Sequence, residues 1–447
     1  MARQLELIPG APTKAAVVAK FRSQSERLRI EAKYAHLIQE DLSLARLVSY
    51  VGNKKVPLLR LYRYKEAFSL EFVNRFLDYF DAGSRDVVFD PFAGMGTTTF
   101  AAMLRGVPSI GVEKLPVAAF VASTLPSFAK IKPGSIIAVY DQLQACLDSY
   151  EPSPMATDVP LISRAFSPET LLRLRQWKTA INTLDPPLRE VFLLLLLAIL
   201  EQTSYTSNDG QFLRLKRGKR PPHPDEALRR KVLDAETDLV MARQIWPQWF
   251  ETGGVAPKVY EADARDLRDV EFDSPPTILI TSPPYVNRYD YTRSYCLELC
   301  FHFVKNFKEL RALRHSMLRS HIESKLSAEE TPPHPVVAEV VENLKQYQLN
   351  NPRIPHMLVA YFIDMESAIR QWGRVMAPGG RVAVAVDNVR FEGETVPVDL
   401  VLSEMAEKHG FAVERIIVAR YKGNSSQQMG RYGRAPVRES ILVWRRL

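Results

Sequence analysis

The sequence predicts an α/β protein: a mostly parallel, doubly wound sheet with an antiparallel C-terminal edge and with helical insertions. Three observations carry this expectation. Short apolar runs end in turn residues, as in Val87-Val88-Phe89 before Asp90-Pro91 and Thr277-Ile278-Leu279-Ile280 before Ser282-Pro283. Strand and helix patterns alternate in a βαβα order between residues 86 and 123. Two further apolar runs, Glu414 to Ala419 and Ser440 to Trp444, are joined by a long polar loop and make an antiparallel pair at the end of the chain.

The elements follow in order. Residues 15 to 50 space Val17, Val18, Phe21, Leu28, Ile30, Ala35 and Leu37 among charged residues, so residues 1–60 read as an N-terminal helical segment. Phe68 to Val73 opens an amphipathic helix with Ser69 as its N-cap. A buried strand over Asp86 to Phe89 leads to a helix over Thr97 to Arg105, stopped by Gly106. The strand Ser109 to Val112 finishes in Glu113, and a helix begins at Pro116. From Lys130 to Glu251 helical segments replace this rhythm: Ile136 to Tyr150, Pro168 to Leu184, Leu188 to Gln202 and Asp225 to Phe250. The α/β domain therefore spans 61–129 and 252–447, interrupted by a helical insertion over 130–251. Strands resume at Lys258 to Ala264 and Thr277 to Ile280; a second helical excursion, 295 to 368, precedes the strand Arg381 to Val386.

Composition bounds the function. With 447 residues, 46% hydrophobic and 25% charged, the chain reads as a soluble globular protein with a large core. Its longest apolar run, Val191 to Leu200, falls short of the ~20 residues that cross a bilayer and reads as a buried helix. The N-terminus lacks a signal-peptide pattern, which predicts a cytoplasmic protein. Cys146, Cys296 and Cys300 are too few for a disulfide framework, and Cys296 and Cys300 have no second pair at ligand spacing, so no metal site is expected. A net charge of +8 favours a polyanionic partner. The excess gathers in the run Arg214 to Arg220, in Arg311, Arg314, His315, Arg319 and His321, and in the tail from Lys422 to Arg434.

Two turns carry the chemistry. In Asp90-Pro91-Phe92-Ala93-Gly94-Met95-Gly96-Thr97-Thr98, Gly94 and Gly96 let the backbone turn tightly and approach a ligand. Thr99 stands where a dinucleotide fingerprint needs a third glycine, and no Gly-Lys-Thr follows for a Walker loop; a nucleoside cofactor is the reading that remains. Glu113, at the end of the next strand, is placed to accept from ribose hydroxyls, and Asp263, ending the third strand, to face the adenine amine, with Asp266 in that place or a purely structural Asp263 as the alternatives. In Ser282-Pro283-Pro284-Tyr285 the prolines remove two backbone donors and leave acceptors exposed. The Ser282 hydroxyl and Pro283 carbonyl can accept from an exocyclic amine, and Tyr285 offers a stacking face. No cysteine follows a proline, which argues against covalent catalysis through a cysteine nucleophile in such a turn.

At these residues the chain resembles the S-adenosylmethionine-dependent amino-group DNA methyltransferases, a class I, Rossmann-like family, over roughly 65 to 125 and 258 to 447. Asp90 to Gly96 matches the family's cofactor motif, and Ser282 to Tyr285 its catalytic motif, in the serine form usual for cytosine-N4 enzymes. The resemblance implies cofactor contacts from Asp90, Pro91, Phe92, Gly94, Gly96, Thr97, Glu113 and Asp263, and from the segment Lys65 to Ser69 through Phe68. It implies a flipped base in DNA, direct methyl transfer, and a partner in restriction or phage defence. Adenine-N6 methylation is the nearest alternative; an RNA base methyltransferase stands further off. DNA contacts are expected from Arg217, Lys219 and Arg220 in the insertion, the candidate recognition region. Others are expected from Lys422, Asn424, Gln427, Arg431 and Arg434 in the loop between the last two strands.

Overall fold

The computed structural model describes residues 25–209, 212–422 and 436–447. Eight strands form the main sheet: β1 (Ile38–Glu40), β2 (Val88–Asp90), β3 (Ser109–Glu113), β4 (Lys258–Glu261), β5 (Ile278–Thr281), β6 (Arg381–Asp387), β7 (Phe411–Lys422) and β8 (Val437–Arg446). Their order is β1-β7-β8-β6-β5-β2-β3-β4. Every neighbouring pair is parallel except the two made by β8, which is antiparallel to β6 and to β7. The C-terminal pair thus supplies the antiparallel strand, but one place further in than an edge. The outermost position is taken by β1, whose Ile38, Gln39 and Glu40 pair with Ile416, Ile417 and Val418. A three-residue strand between 3-10 turns leaves too little alternation to be read from sequence.

The pleat divides the core in two. Val88, Ile278, Ile280, Ala383, Ala385, Ile441 and Val443 face one layer of helices, while Phe89, Leu279, Val382, Val384, Leu442 and Trp444 face the other. On the first face pack the helices Leu70–Tyr79, Thr97–Leu104 and Pro116–Thr124. On the second pack Ile354–Val375 and Val398–Lys408. Local chemistry sets the helix ends. Ser69 accepts the Phe72 amide at 3.2 Å, and Gly106 closes its helix with bonds from Gly106 to Met103 and from Val107 to Ala102.

The N-terminal segment belongs to this body. Its helix, Glu26–Tyr34, buries Ile30 and Tyr34 and is tied down by Arg29 to Glu404 and Lys33 to Glu407, with Glu31 paired to Arg438. The insertion contributes helices Ser135–Ala145, Pro168–Asn182, Leu188–Thr203 and Pro224–Ile245 to the first-face core. It also carries an antiparallel hairpin, Thr206–Asp209 with Phe212–Leu215, which the sequence reading did not anticipate.

One buried carboxylate fastens the N-terminal segment to the insertion. Asp238 is fully buried and accepts the Leu58 amide at 2.8 Å and the Arg60 Nε at 2.7 Å. Leu58 sits at φ +69°, a conformation rare for a side chain of its size, so the acceptor holds a turn that would otherwise relax. Asp238→Ala orphans the Leu58 amide and is expected to cost about 1 to 3 kcal/mol of stability. Urea denaturation checks it: the midpoint falls in Asp238→Ala and falls less in Asp238→Asn, which keeps one acceptor oxygen.

Candidate active site

The two turns singled out in the sequence leave adjacent strands, β2 and β5, at their carboxyl ends, where the strand order reverses direction. Thr281, the last residue of β5, donates its hydroxyl to Asp90 Oδ1 at 2.6 Å, and the Phe92 amide donates to the same oxygen at 3.0 Å. Burial pushes the Asp90 carboxyl up to about 6 against these bonds. Asp90 therefore clamps the two turns together and faces neither cavity described below.

Beyond Asp90 the backbone passes through Gly94 at φ +53° and Gly96 at φ +86°. A β-carbon on Gly94 would lie 3.1 Å from the Tyr64 ring, and one on Gly96 would meet the Ala122 β-carbon at 2.8 Å. Glu113 holds the turn from the side: one oxygen accepts the Gly94 amide at 2.8 Å, the other the Leu115 amide at 2.7 Å. Burial pushes this carboxyl up to about 7, although both amides favour its ionised form. Each oxygen keeps a second lone pair for a further donor.

Two cavities meet here. The first is lined by Pro91, Phe92, Gly94, Glu113, Asp263 and Pro284, all singled out in the sequence, together with Tyr64. The second, of about 250 Å³, is lined by Pro283, Tyr285, Asn287, Tyr289, Arg420, Lys422 and Glu439. Glu66, Ser282 and Tyr291 line both. They form the partition.

Ser282 is held for a purpose that its bonds make legible. Its hydroxyl donates to the Ala385 carbonyl at 3.1 Å, the shorter of its two contacts, with Tyr285 OH at 3.4 Å. A hydroxyl has one proton, so this leaves the oxygen an acceptor towards the cavities. Tyr285 OH in turn donates to Glu439 at 3.0 Å. Glu439 is buried and paired with Arg420 and, at 3.0 Å, with Lys422, whose ammonium lies 5.4 Å from the centre of the Tyr285 ring. Burial and the Glu439 charge hold the Tyr285 phenol well above its ordinary value, so it stays protonated. Glu66 accepts from Tyr295 OH at 2.6 Å, and burial raises its carboxyl.

Several residues chosen from sequence sit elsewhere. Phe68 is turned into the core, its ring 4.6 Å from that of Phe72, and the wall position it was expected to fill belongs to Tyr64 and Glu66. Gly96 and Thr97 are packed at the helix start behind the turn. Asp263 lines the first cavity but is gripped by Arg265 at 2.6 Å, which outweighs burial and keeps its carboxyl below the usual range. Lys219 donates to the carbonyls of Glu201 and Thr206 at 2.6 and 2.7 Å, whereas Arg217 and Arg220 are exposed. Lys422 pairs with Asp387 at 2.9 Å and lines the second cavity. In the second basic cluster Arg314 pairs with Asp290 and Arg319 with Asp364 and Glu330, so these charges are spent inside the fold. Asn424, Gln427, Arg431 and Arg434 lie outside the described residues. Sequence reasoning missed Tyr64, Tyr289 and Tyr291; for the last two there was a visible signal, the crowding of tyrosines after the Ser-Pro-Pro-Tyr turn, as in Tyr285, Tyr289, Tyr291 and Tyr295.

Comparison with known proteins agrees with this geometry. No protein-family model matches the chain. It is 32% identical to the Type II methyltransferase M.BsoBI of Geobacillus stearothermophilus over 95% of this chain and 93% of that one. It is 31% identical to the Type II methyltransferase M.AvaI of a Nostoc species, over 93% and 92%. Among solved structures, TrmN from Thermus thermophilus is similar at TM-score 0.29 and 11% identity, covering 85% of this chain and 49% of that one. The rRNA methyltransferase aviRa from Streptomyces viridochromogenes scores 0.30 at 11% identity, covering 90% and 89%, and neither of these two structures bears on the reading. With both turns on one sheet edge and relatives at this identity over nearly its whole length, the chain belongs to the S-adenosylmethionine-dependent amino-group methyltransferases, among the Type II DNA methyltransferases.

Proposed function

We propose that this protein methylates the N4 amine of cytosine in DNA, with the base flipped out of the duplex. The observation that carries the reading is Ser282, a hydrogen-bond acceptor standing in the partition between two cavities. The lining of the first cavity suits a nucleoside in its chemistry: the backbone approaches closely at Gly94, where a β-carbon would crowd Tyr64, and Glu113 retains acceptor capacity. Pro91, Phe92, Gly94, Glu113 and Asp263 would hold S-adenosylmethionine there, which supplies a methyl group made electrophilic by its sulfonium.

The second cavity would take the base. An amine N–H donated to Ser282 Oγ turns the nitrogen lone pair towards the first cavity, and positioning of this kind is worth up to ~7 to 11 kcal/mol in intramolecular reactions. Tyr285 presents its ring as a stacking face, steadied by Glu439 at its hydroxyl and by Lys422 above the ring. Serine in the first position of this turn favours cytosine over adenine. The insertion over 130–251 is our candidate for sequence recognition, with Arg217 and Arg220 as phosphate contacts. A restriction or phage-defence partner and a cytoplasmic location belong to the same proposal; among the described residues no helix is long and apolar enough to cross a membrane.

Single-turnover assays on duplex DNA test the reading. Ser282→Ala loses an acceptor worth ~1 to 3 kcal/mol and is expected to slow methyl transfer about 5- to 150-fold while cofactor binding persists. A wild-type rate in that variant, or methyl label on adenine alone, would sink the cytosine-N4 reading. Cofactor binding carries a second test. Hydroxyl donors favour ionised Glu113, whose carboxyl burial has pushed up to about 7. Affinity for S-adenosylmethionine is therefore expected to rise with pH towards about 7 and level off above it, and to be flat in Glu113→Gln, as measured by titration calorimetry from about pH 5.5 to about 8.5.

A further inference from the structure

We propose that a third cavity, between the N-terminal segment and the helical insertion, binds a backbone phosphate of the DNA strand beside the flipped nucleotide. The inference rests on the DNA reading above. This cavity, of about 580 Å³, is larger than either of the two already described. Its wall carries Lys54, Arg60, Arg63, Lys219 and Lys231 against one carboxylate, Glu201.

The balance of charge does not close within the protein. Arg60 is neutralised by Asp238. Lys231 has Asp234 only at 3.8 Å, and Lys219 is held by two carbonyls, which accept its protons without cancelling its charge. Burial lowers both lysines from their ordinary value, the mark of cations without a sufficient counter-ion. Lys54 and Arg63 are exposed and make no ion pair with a carboxylate among the described residues. An oxyanion in the cavity would satisfy this surplus, with Arg63 able to bind it through a two-pronged contact.

The place of the cavity selects DNA as the source of the anion. Residues Tyr62 to Glu66 form the wall between all three cavities. Tyr62 and Arg63 face the third, Tyr64 faces the third and the first, Lys65 faces the second, and Glu66 faces the second and the first. Ser49 and Tyr50, neighbours in sequence, line the second and third respectively. A strand that places one base in the second cavity therefore runs past the mouth of the third.

The test compares salt dependence of duplex binding, by fluorescence anisotropy, in wild type and in the double variant Lys54→Ala/Arg63→Ala, with folding checked by thermal melting. Loss of the one phosphate contact is expected to reduce the slope of log affinity against log salt by about 0.9, so that a fourfold rise in salt costs the variant about 3- to 4-fold less affinity than wild type. Lys54→Gln/Arg63→Gln repeats the measurement if the alanine pair is unstable. A control pair at the amino ends of the parallel strands, away from the cavities, Lys258→Ala/Arg445→Ala, keeps the wild-type slope. An unchanged slope in the Lys54/Arg63 variant, an equal fall in the control pair, or a loss of S-adenosylmethionine affinity would each overturn the assignment. So would stabilisation of wild type, but not the variant, by inorganic phosphate without a change in slope, which would give the cavity to a free anion. Failure of the methylation reading is separately visible, because binding slopes are read whether or not cytosine receives the label.

Discussion

The hydrogen bond from Thr281 to Asp90 is the constraint on which the site depends. It joins the last residues of two neighbouring parallel strands in a place that water does not reach. Burial makes the Asp90 charge costly, and the bonds from Thr281 and Phe92 offset that cost only while both strands end in register. The glycine turn and the Ser-Pro-Pro-Tyr turn therefore emerge from one fixed point. Residues nearly two hundred positions apart in the chain become opposite walls of one chamber without either turn reaching far.

From that point the chain uses buried acids in distinct ways. Glu113 fixes the glycine turn through two amides and keeps lone pairs to spare. Glu439 is saturated by Arg420, Lys422 and Tyr285, which makes it a brace for an aromatic ring. Asp263, seized by Arg265, is more constrained than its position at a strand end suggests. A carboxylate's place in the strand pattern says where it stands; its partners decide what it has left to offer.

Much of this was legible in the sequence, for physical reasons that also mark where legibility stops. Strands buried on both faces write continuous apolar runs, and β2, β3, β5 and β6 were found by theirs. Turns that need glycine or proline announce themselves, so Gly94 and Ser282 to Tyr285 were placed where they stand. β1 is too short to show a period, and the first hairpin strand, Thr206–Asp209, has no apolar residue to mark it. Phe68 was misplaced because an aromatic at a helix start serves a core as readily as a ligand. For Lys219, sequence shows the cation's charge and not the two carbonyls that take its protons.

The strand β1 has a bearing beyond topology. It covers Ile416 to Val418 of the twelve-residue β7, leaving the rest of that edge to be guarded by Glu414, Arg415, Arg420 and Lys422. The stretch of chain that leaves β1 then returns as the wall Tyr62 to Glu66. Protection against edge-to-edge association and closure of the proposed reaction chamber are thus vested in one short length of polypeptide. Damage to that length, by proteolysis or by a substitution that unseats β1, would couple loss of solubility to loss of catalysis.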